Sequence, residues 1–98
     1  MPAIEDRKIL RVANATPIAE LGSAIFHAIA ADGDCWLRAI GAGSVNQTVK
    51  AIIVAQGYAA QAGLSLVNRA GFQEIDMPSK TQGQSEKRTS VLFHVFTI

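Results

Sequence analysis

Two segments of this 98-residue chain repeat apolar residues at three- and four-residue spacing, and each is flanked by short runs of branched residues. That alternation of helical and extended periods narrows the fold more than any other feature. Ile18, Leu21, Ile25, Ala28 and Ile29 share one helical face, with Glu20, Ser23 and His27 opposite. The spacing predicts a first helix over about 17–31. Val45, Val49, Ile52 and Ile53, beside Ala51, Ala55 and Ala59, predict a second over roughly 44–61. Its polar stripe is Asn46, Lys50, Gly57 and Gln61, while Gln56 falls on the apolar arc with no role the sequence supplies.

Punctuation fits these elements. In Asn14-Ala15-Thr16-Pro17, Thr16 can cap the first helix and Pro17 suits its first turn, where a missing N–H costs nothing. Asp32-Gly33-Asp34 ends that helix and Gly63 ends the second. Strands are expected at 8–13, 35–40 and 64–68, and at 89–98, where Val91, Phe93 and Val95 alternate with Leu92, His94, Phe96 and Ile98. Phe72 to Asp76 reads as a continuation of the third strand or as a short extra one, and residues 78–88 as a polar loop turning near Gly83. The order β-α-β-α-β-β predicts an α+β, two-layer sandwich, with two helices on one face of a mixed four- to five-stranded sheet. Residues 1–7 read as a flexible lead-in and 8–98 as a single domain. The other face of such a sheet leaves Leu92, Phe96, Ile98 and Trp36 partly exposed, which oligomerisation would bury.

Nine Lys and Arg against eight Asp and Glu give a net charge of +1. A protein held to nucleic acid or membrane by bulk charge is excluded, so any such role must come from a local patch. The first residues have no apolar core of a signal peptide and no apolar run approaches the ~20 residues that span a bilayer, so a cytoplasmic protein without membrane contact is expected. The lone Cys35 leaves no intramolecular disulfide and reads as a small packed residue. No His, Cys and carboxylate set has metal-ligand spacing, and no cofactor is expected. His27 with Ser23 and Glu20 reads as a solvated helix face, His94 as a half-buried strand residue, and no enzyme is expected. Trp36 can stack on a base or pack in a core or interface.

The most informative local feature is Gly41-Ala42-Gly43-Ser44, set between a strand and a helix. Glycines let a backbone approach a ligand, and a helix start offers free N–H groups, so the junction can hold phosphate. It can also be a tight turn that needs small residues. It is neither a Walker A loop nor a full dinucleotide fingerprint, since Asn46 stands where the third glycine is needed. Arg38 just before it, and Asn46 and Lys50 just after, can clamp a sugar–phosphate backbone or belong to a solvated surface. Lys80, Lys87 and Arg88 can bring a basic hairpin to a groove or keep an exposed loop soluble.

The block Ala39-Ile40-Gly41-Ala42-Gly43-Ser44-Val45-Asn46-Gln47-Thr48-Val49-Lys50-Ala51 closely resembles the signature of the stage V sporulation protein S family. Leu10-Arg11-Val12, Gly33, Ala55-Gln56-Gly57-Tyr58, Phe72 and Ile75 extend the resemblance, with Arg common in the family at Gln56 and Pro at Ala70. The resemblance implies an Alba-like fold, one whose members bind DNA or RNA, typically as dimers. It also implies a role in sporulation or broader regulation. In Alba-like proteins the loop between strand two and helix two meets nucleic acid through basic residues. Here that loop is Gly41 to Val45, without Lys or Arg, and Arg38 stands just ahead of it.

The expectation is a non-enzymatic nucleic-acid-binding regulator, a homodimer or higher oligomer. Its contacts would be the backbone of Gly41, Ala42, Gly43 and Ser44, with Arg38, Asn46 and Lys50. The rival is a protein-interaction or structural module working through Leu92, Phe96 and Ile98. A third reading is a phosphorylated small ligand at Gly41–Ser44.

Overall fold

A computed structural model describes residues 8–79 and 83–98. Its elements run β1 (Ile9–Val12), α1 (Ile18–Asp32), β2 (Asp34–Ala39), α2 (Ala42–Gln61), β3 (Leu66–Pro78) and β4 (Ser85–Thr97). The four strands form one mixed sheet in the order β1-β2-β4-β3. β1 lies parallel to β2, while β4 is antiparallel to both β2 and β3. Among the described residues no fifth strand forms, because residues 72–76 continue β3.

Alternation along the strands assigns the two faces of the sheet. Cys35, Leu37 and Ala39 of β2 are buried, as are Phe93 and Val95 of β4 and Val12 of β1. They meet Leu21, Ile25 and Ile29 of α1 and Ala51, Ile52 and Ala55 of α2 in one core. The helices approach closely at Gly22, where an added Cβ would fall 2.6 Å from Val54 Cγ1 and 3.1 Å from the Ala51 carbonyl. Both helices therefore lie on one side, and Trp36, Arg38, Leu92, His94 and Phe96 face away from them.

Three boundaries differ from the sequence reading. Pro17 is the N-cap of α1 rather than its first residue. Thr16 does not cap the helix; its Oγ1 accepts the Ala13 N–H at 2.8 Å and its own N–H returns to the Ala13 carbonyl. The short turn before Pro17 thus uses the hydroxyl that a helix cap would have needed. α2 begins at Ala42, with Gly41 as N-cap, so Ala42, Gly43 and Ser44 form its first turn.

The third difference is larger. In the expected loop over 78–88, Pro78 and Ser85 to Arg88 are strand, since Pro78 pairs with Ser85 and pairing continues through Asp76–Lys87 and Glu74–Thr89. β2 pairs only as far as Val91, so the rest of the hairpin projects as a two-stranded arm. One face of that arm, with Glu74, Asp76, Lys87 and Thr89, is exposed, while Gln73, Ile75 and Met77 on the other are half-buried. Lys80 and Gln82 of the expected loop, and the lead-in over 1–7, lie outside the described residues.

Gln56 also finds its reason. Its Oε1 accepts the Leu66 N–H at 2.7 Å, tying the C-terminal half of α2 to the first residue of β3.

Candidate nucleic-acid interface

β1 and β2 are parallel neighbours, so the loops that follow them leave the sheet at the same end, where open α/β sheets hold ligands. The two loops are fastened together. Gln47 Nε2 donates to the Thr16 carbonyl at 2.9 Å. Asn14 lies against Gly43, where a Cβ would fall 2.6 Å from Asn14 Oδ1. Gly43 is thus small because a neighbouring loop occupies the space. Sequence reasoning singled out neither Asn14 nor Gln47 for this end of the fold.

Gly41 has φ 89° and ψ 159°, a conformation essentially reserved for glycine. It offers no side-chain cap to the helix. The first helical bond runs from Val45 N–H to the Gly41 carbonyl at 3.1 Å, so the N–H groups of Ala42, Gly43 and Ser44 have no intrahelical acceptor. Gly41, Ala42 and Gly43 are exposed. Ser44 is buried, and its hydroxyl turns inward to the Ile40 carbonyl and, at 3.1 Å, to the Gly41 carbonyl. Thr48 Oγ1 in turn donates to the Ser44 carbonyl at 2.8 Å. The Ser44 side chain therefore holds the turn from within, and the exposed backbone at the helix start is that of Gly41, Ala42 and Gly43. Asn46 and Lys50 are exposed on α2. Their one-turn spacing places both on the outer side of the helix.

Arg38 sits elsewhere than beside the loop backbone. It is on the helix-free face, where its Nε and Nη2 donate to Gln73 Oε1 at 3.1 and 2.9 Å. β4 lies between β2 and β3, so this bridge crosses it, above the buried Ser90, whose Oγ donates to the Gln73 carbonyl at 2.9 Å. Gln73 is neutral, so Arg38 keeps its full charge while its direction is fixed. Arg38 and Arg11 line a cavity of about 360 Å³ with Ile40, Ile75, Asp76 and Met77. The sequence-predicted residues thus fall into two groups: the α2 start with Asn46 and Lys50, and Arg38 on the sheet.

The remaining candidates have structural partners. His27 Nδ1 lies 2.7 Å from the Ser23 carbonyl on its own helix. His94 Nε2 lies 2.8 Å from Asp34 Oδ2, and its ring stacks on Trp36 with centroids 3.8 Å apart and planes 7° from parallel. Cys35 is 3% exposed, and burial, helped by Asp34 and Asp32, pushes its thiol up to about 12. Among the described residues no three His, Cys, Asp or Glu side chains are placed to hold a metal ion, and no helix is long and apolar enough to cross a membrane.

Two helices on one face of a β1-β2-β4-β3 sheet, with a projecting β3–β4 arm, make an Alba-like fold. The solved structure of Alba from Thermoplasma volcanium superposes with a TM-score of 0.53 at 13% identity, covering 91% of this chain and 99% of that one. At sequence level, the model of the family Stage V sporulation protein S (SpoVS) matches residues 8–98. The chain belongs to that sporulation-related family.

Proposed function

We propose that this chain is a non-enzymatic nucleic-acid-binding regulator that acts as a homodimer or higher oligomer. It meets phosphate through the backbone N–H groups of the Gly41–Ser44 turn. The observation that carries the reading is the exposed, uncapped start of α2, fixed by the Gly41 conformation and by the Asn14 and Gln47 contacts. A helix start of this kind favours an anion through both its free donors and its dipole. Lys50 adds charge and Asn46 a polar contact one turn apart, and the fixed Arg38 guanidinium adds charge from the sheet. Family membership and the Alba-like fold support the same reading.

Few cations take part, so binding should be weak and steeply salt-dependent, with about two to four counterions released. Fluorescence anisotropy at low salt, with labelled single-stranded RNA, single-stranded DNA and duplex DNA, tests this. Binding that weakens in both Lys50→Glu and Arg38→Glu is expected. No binding at concentrations of about 50 µM, within the weak range of non-specific complexes, would refute the proposal.

A further inference from the structure

The register of the sheet gathers charge that is dispersed in the sequence. Arg11 pairs with Arg38 across β1 and β2, Arg38 with Leu92, Arg69 with His94, and Arg88 with Ile75. Paired residues share a face, and Arg88, Leu92 and His94 share parity along β4. All four described arginines therefore lie on the helix-free face. The carboxylates of that face are Asp34, against His94, and Glu86, 3.9 Å from Arg88. Glu74 and Asp76 of the arm have the opposite parity, although Asp76 borders the cavity that Arg11 and Arg38 line.

Aromatic rings occupy the middle of the same face. Trp36 stacks on His94, His94 lies 4.9 Å from the Phe96 ring, and the Arg69 guanidinium carbon sits 5.7 Å from the Phe96 centroid. Beside them the row Arg38–Leu92–Gly71 ends without a side chain. A Cβ added at Gly71 would meet nothing within 4 Å. The gap is a cavity of about 410 Å³ lined by Trp36, Arg69, Gly71, Phe72, Leu92 and His94. Ligand pockets have volumes of about 300–1,000 Å³. Phe72, 85% exposed, borders the notch from the next position of β3 but pairs with Val91 and so has the opposite parity.

A face that joins rings, an open notch and excess guanidinium charge matches the chemistry of an unpaired base on its phosphate backbone. Base faces stack on aromatic and guanidinium planes, and cations follow the strand. A duplex hides its base faces and cannot use the notch. We propose that the helix-free face binds single-stranded nucleic acid, with one unpaired base seated over Gly71 and the arginines on adjoining phosphates. This rests on the nucleic-acid reading above and adds to it a second surface and a preference for single strands. Charge complementarity favours this occupant over a second copy of the chain, which would bring its own four arginines against these.

The chain has one tryptophan, so Trp36 emission reports on this face directly. The test follows Trp36 emission and the anisotropy of labelled 12-nucleotide single-stranded RNA, single-stranded DNA and duplex DNA together. It compares the natural chain with Gly71→Leu. Gly71 has no positive φ and open space around it, so leucine fills the notch without backbone strain and without changing charge. The expected result is a Trp36 emission change that saturates with single-strand binding, and an affinity about tenfold lower in Gly71→Leu for single strands only. The RNA and DNA arms decide which sugar is preferred.

Binding by anisotropy with unchanged Trp36 emission and unaltered Gly71→Leu affinity would overturn the sheet-face site while leaving the α2 reading intact. No binding of any probe would overturn both. Trp36 emission that varies with protein concentration alone, with a dimer lost in Gly71→Leu by light scattering, would assign the face to a second copy and overturn the proposal.

Discussion

Replacing Gly41 by alanine isolates the conformation on which the α2 start depends. At φ 89° and ψ 159° an L side chain is strained, and such residues cost of order 1–3 kcal/mol. An added Cβ meets nothing within 4 Å, so no steric clash or new contact enters the difference. Alanine also restricts the unfolded chain, which returns about 0.4–1 kcal/mol where the native geometry is compatible. The net expectation is a loss of about 1–2 kcal/mol. For a domain of this size each kilocalorie corresponds to roughly 4–8 °C in Tm. Gly57→Ala supplies the control, because Gly57 lies within α2 and its added Cβ also meets nothing within 4 Å. There alanine gains helix propensity and should stabilise by up to about 1 kcal/mol. Urea unfolding followed by Trp36 fluorescence measures both. Opposite signs are expected. A Gly41→Ala protein as stable as the natural chain would show that the turn does not need its glycine-only geometry, and the reasoning about the α2 start would fail.

Further expectations follow from single contacts. Because the Cys35 thiol is raised from 9.0 to about 12 in the folded chain, the unfolded chain loses its proton first. Stability should therefore fall as pH rises above about 9, with this contribution spent by about 12, and Cys35→Ala should flatten that alkaline limb in urea titrations. The same burial predicts that a thiol reagent at pH 8 modifies the folded protein only at the rate of its opening; reaction as fast as in urea would contradict it. Gln56→Leu leaves the Leu66 N–H without its acceptor and should cost about 1–3 kcal/mol, whereas Gln56→Glu keeps an acceptor and should cost less. Thermal melts of the two variants distinguish a hydrogen-bonding role from a packing one.

How much of this was legible in the sequence depends on the range of the signal. The helices were readable because their period is local, and Leu21, Ile25 and Ile29 of α1 and Ala51, Ile52 and Ala55 of α2 enter the core. The apolar arc of α2 is narrower than its sequence suggests: Val49 and Ile53 are 44% and 65% exposed, because the helix packs through its small residues Ser44, Thr48, Ala51, Ala55 and Ala59. The family block led to the correct fold and to an exposed helix start. The β3–β4 arm was not readable, because its apolar alternation is confined to Ile75 and Met77 and the facing stretch Ser85–Thr89 is polar throughout, which does not separate a ribbon from a loop. Thr16 was ambiguous for a different reason: one hydroxyl can close a turn or cap a helix, and local sequence does not decide which. Arg38 was placed by its distance along the chain from Gly41, but strand parity turns its side chain to the opposite side of the sheet. Arg11, Arg69 and Arg88 share its face through register alone, and register across four strands is not a local property. A net charge of +1 therefore conceals a face whose described residues include four arginines and two carboxylates.

The most direct test of nucleic-acid binding is the salt dependence of the affinity for a single-stranded oligonucleotide. For about two to four phosphates neutralised, log Kobs against log salt should fall with a slope of about −1.4 to −2.8. The slope should become shallower in Arg38→Glu and in Lys50→Glu. A slope near zero, or no measurable complex at the lowest salt, would contradict the account.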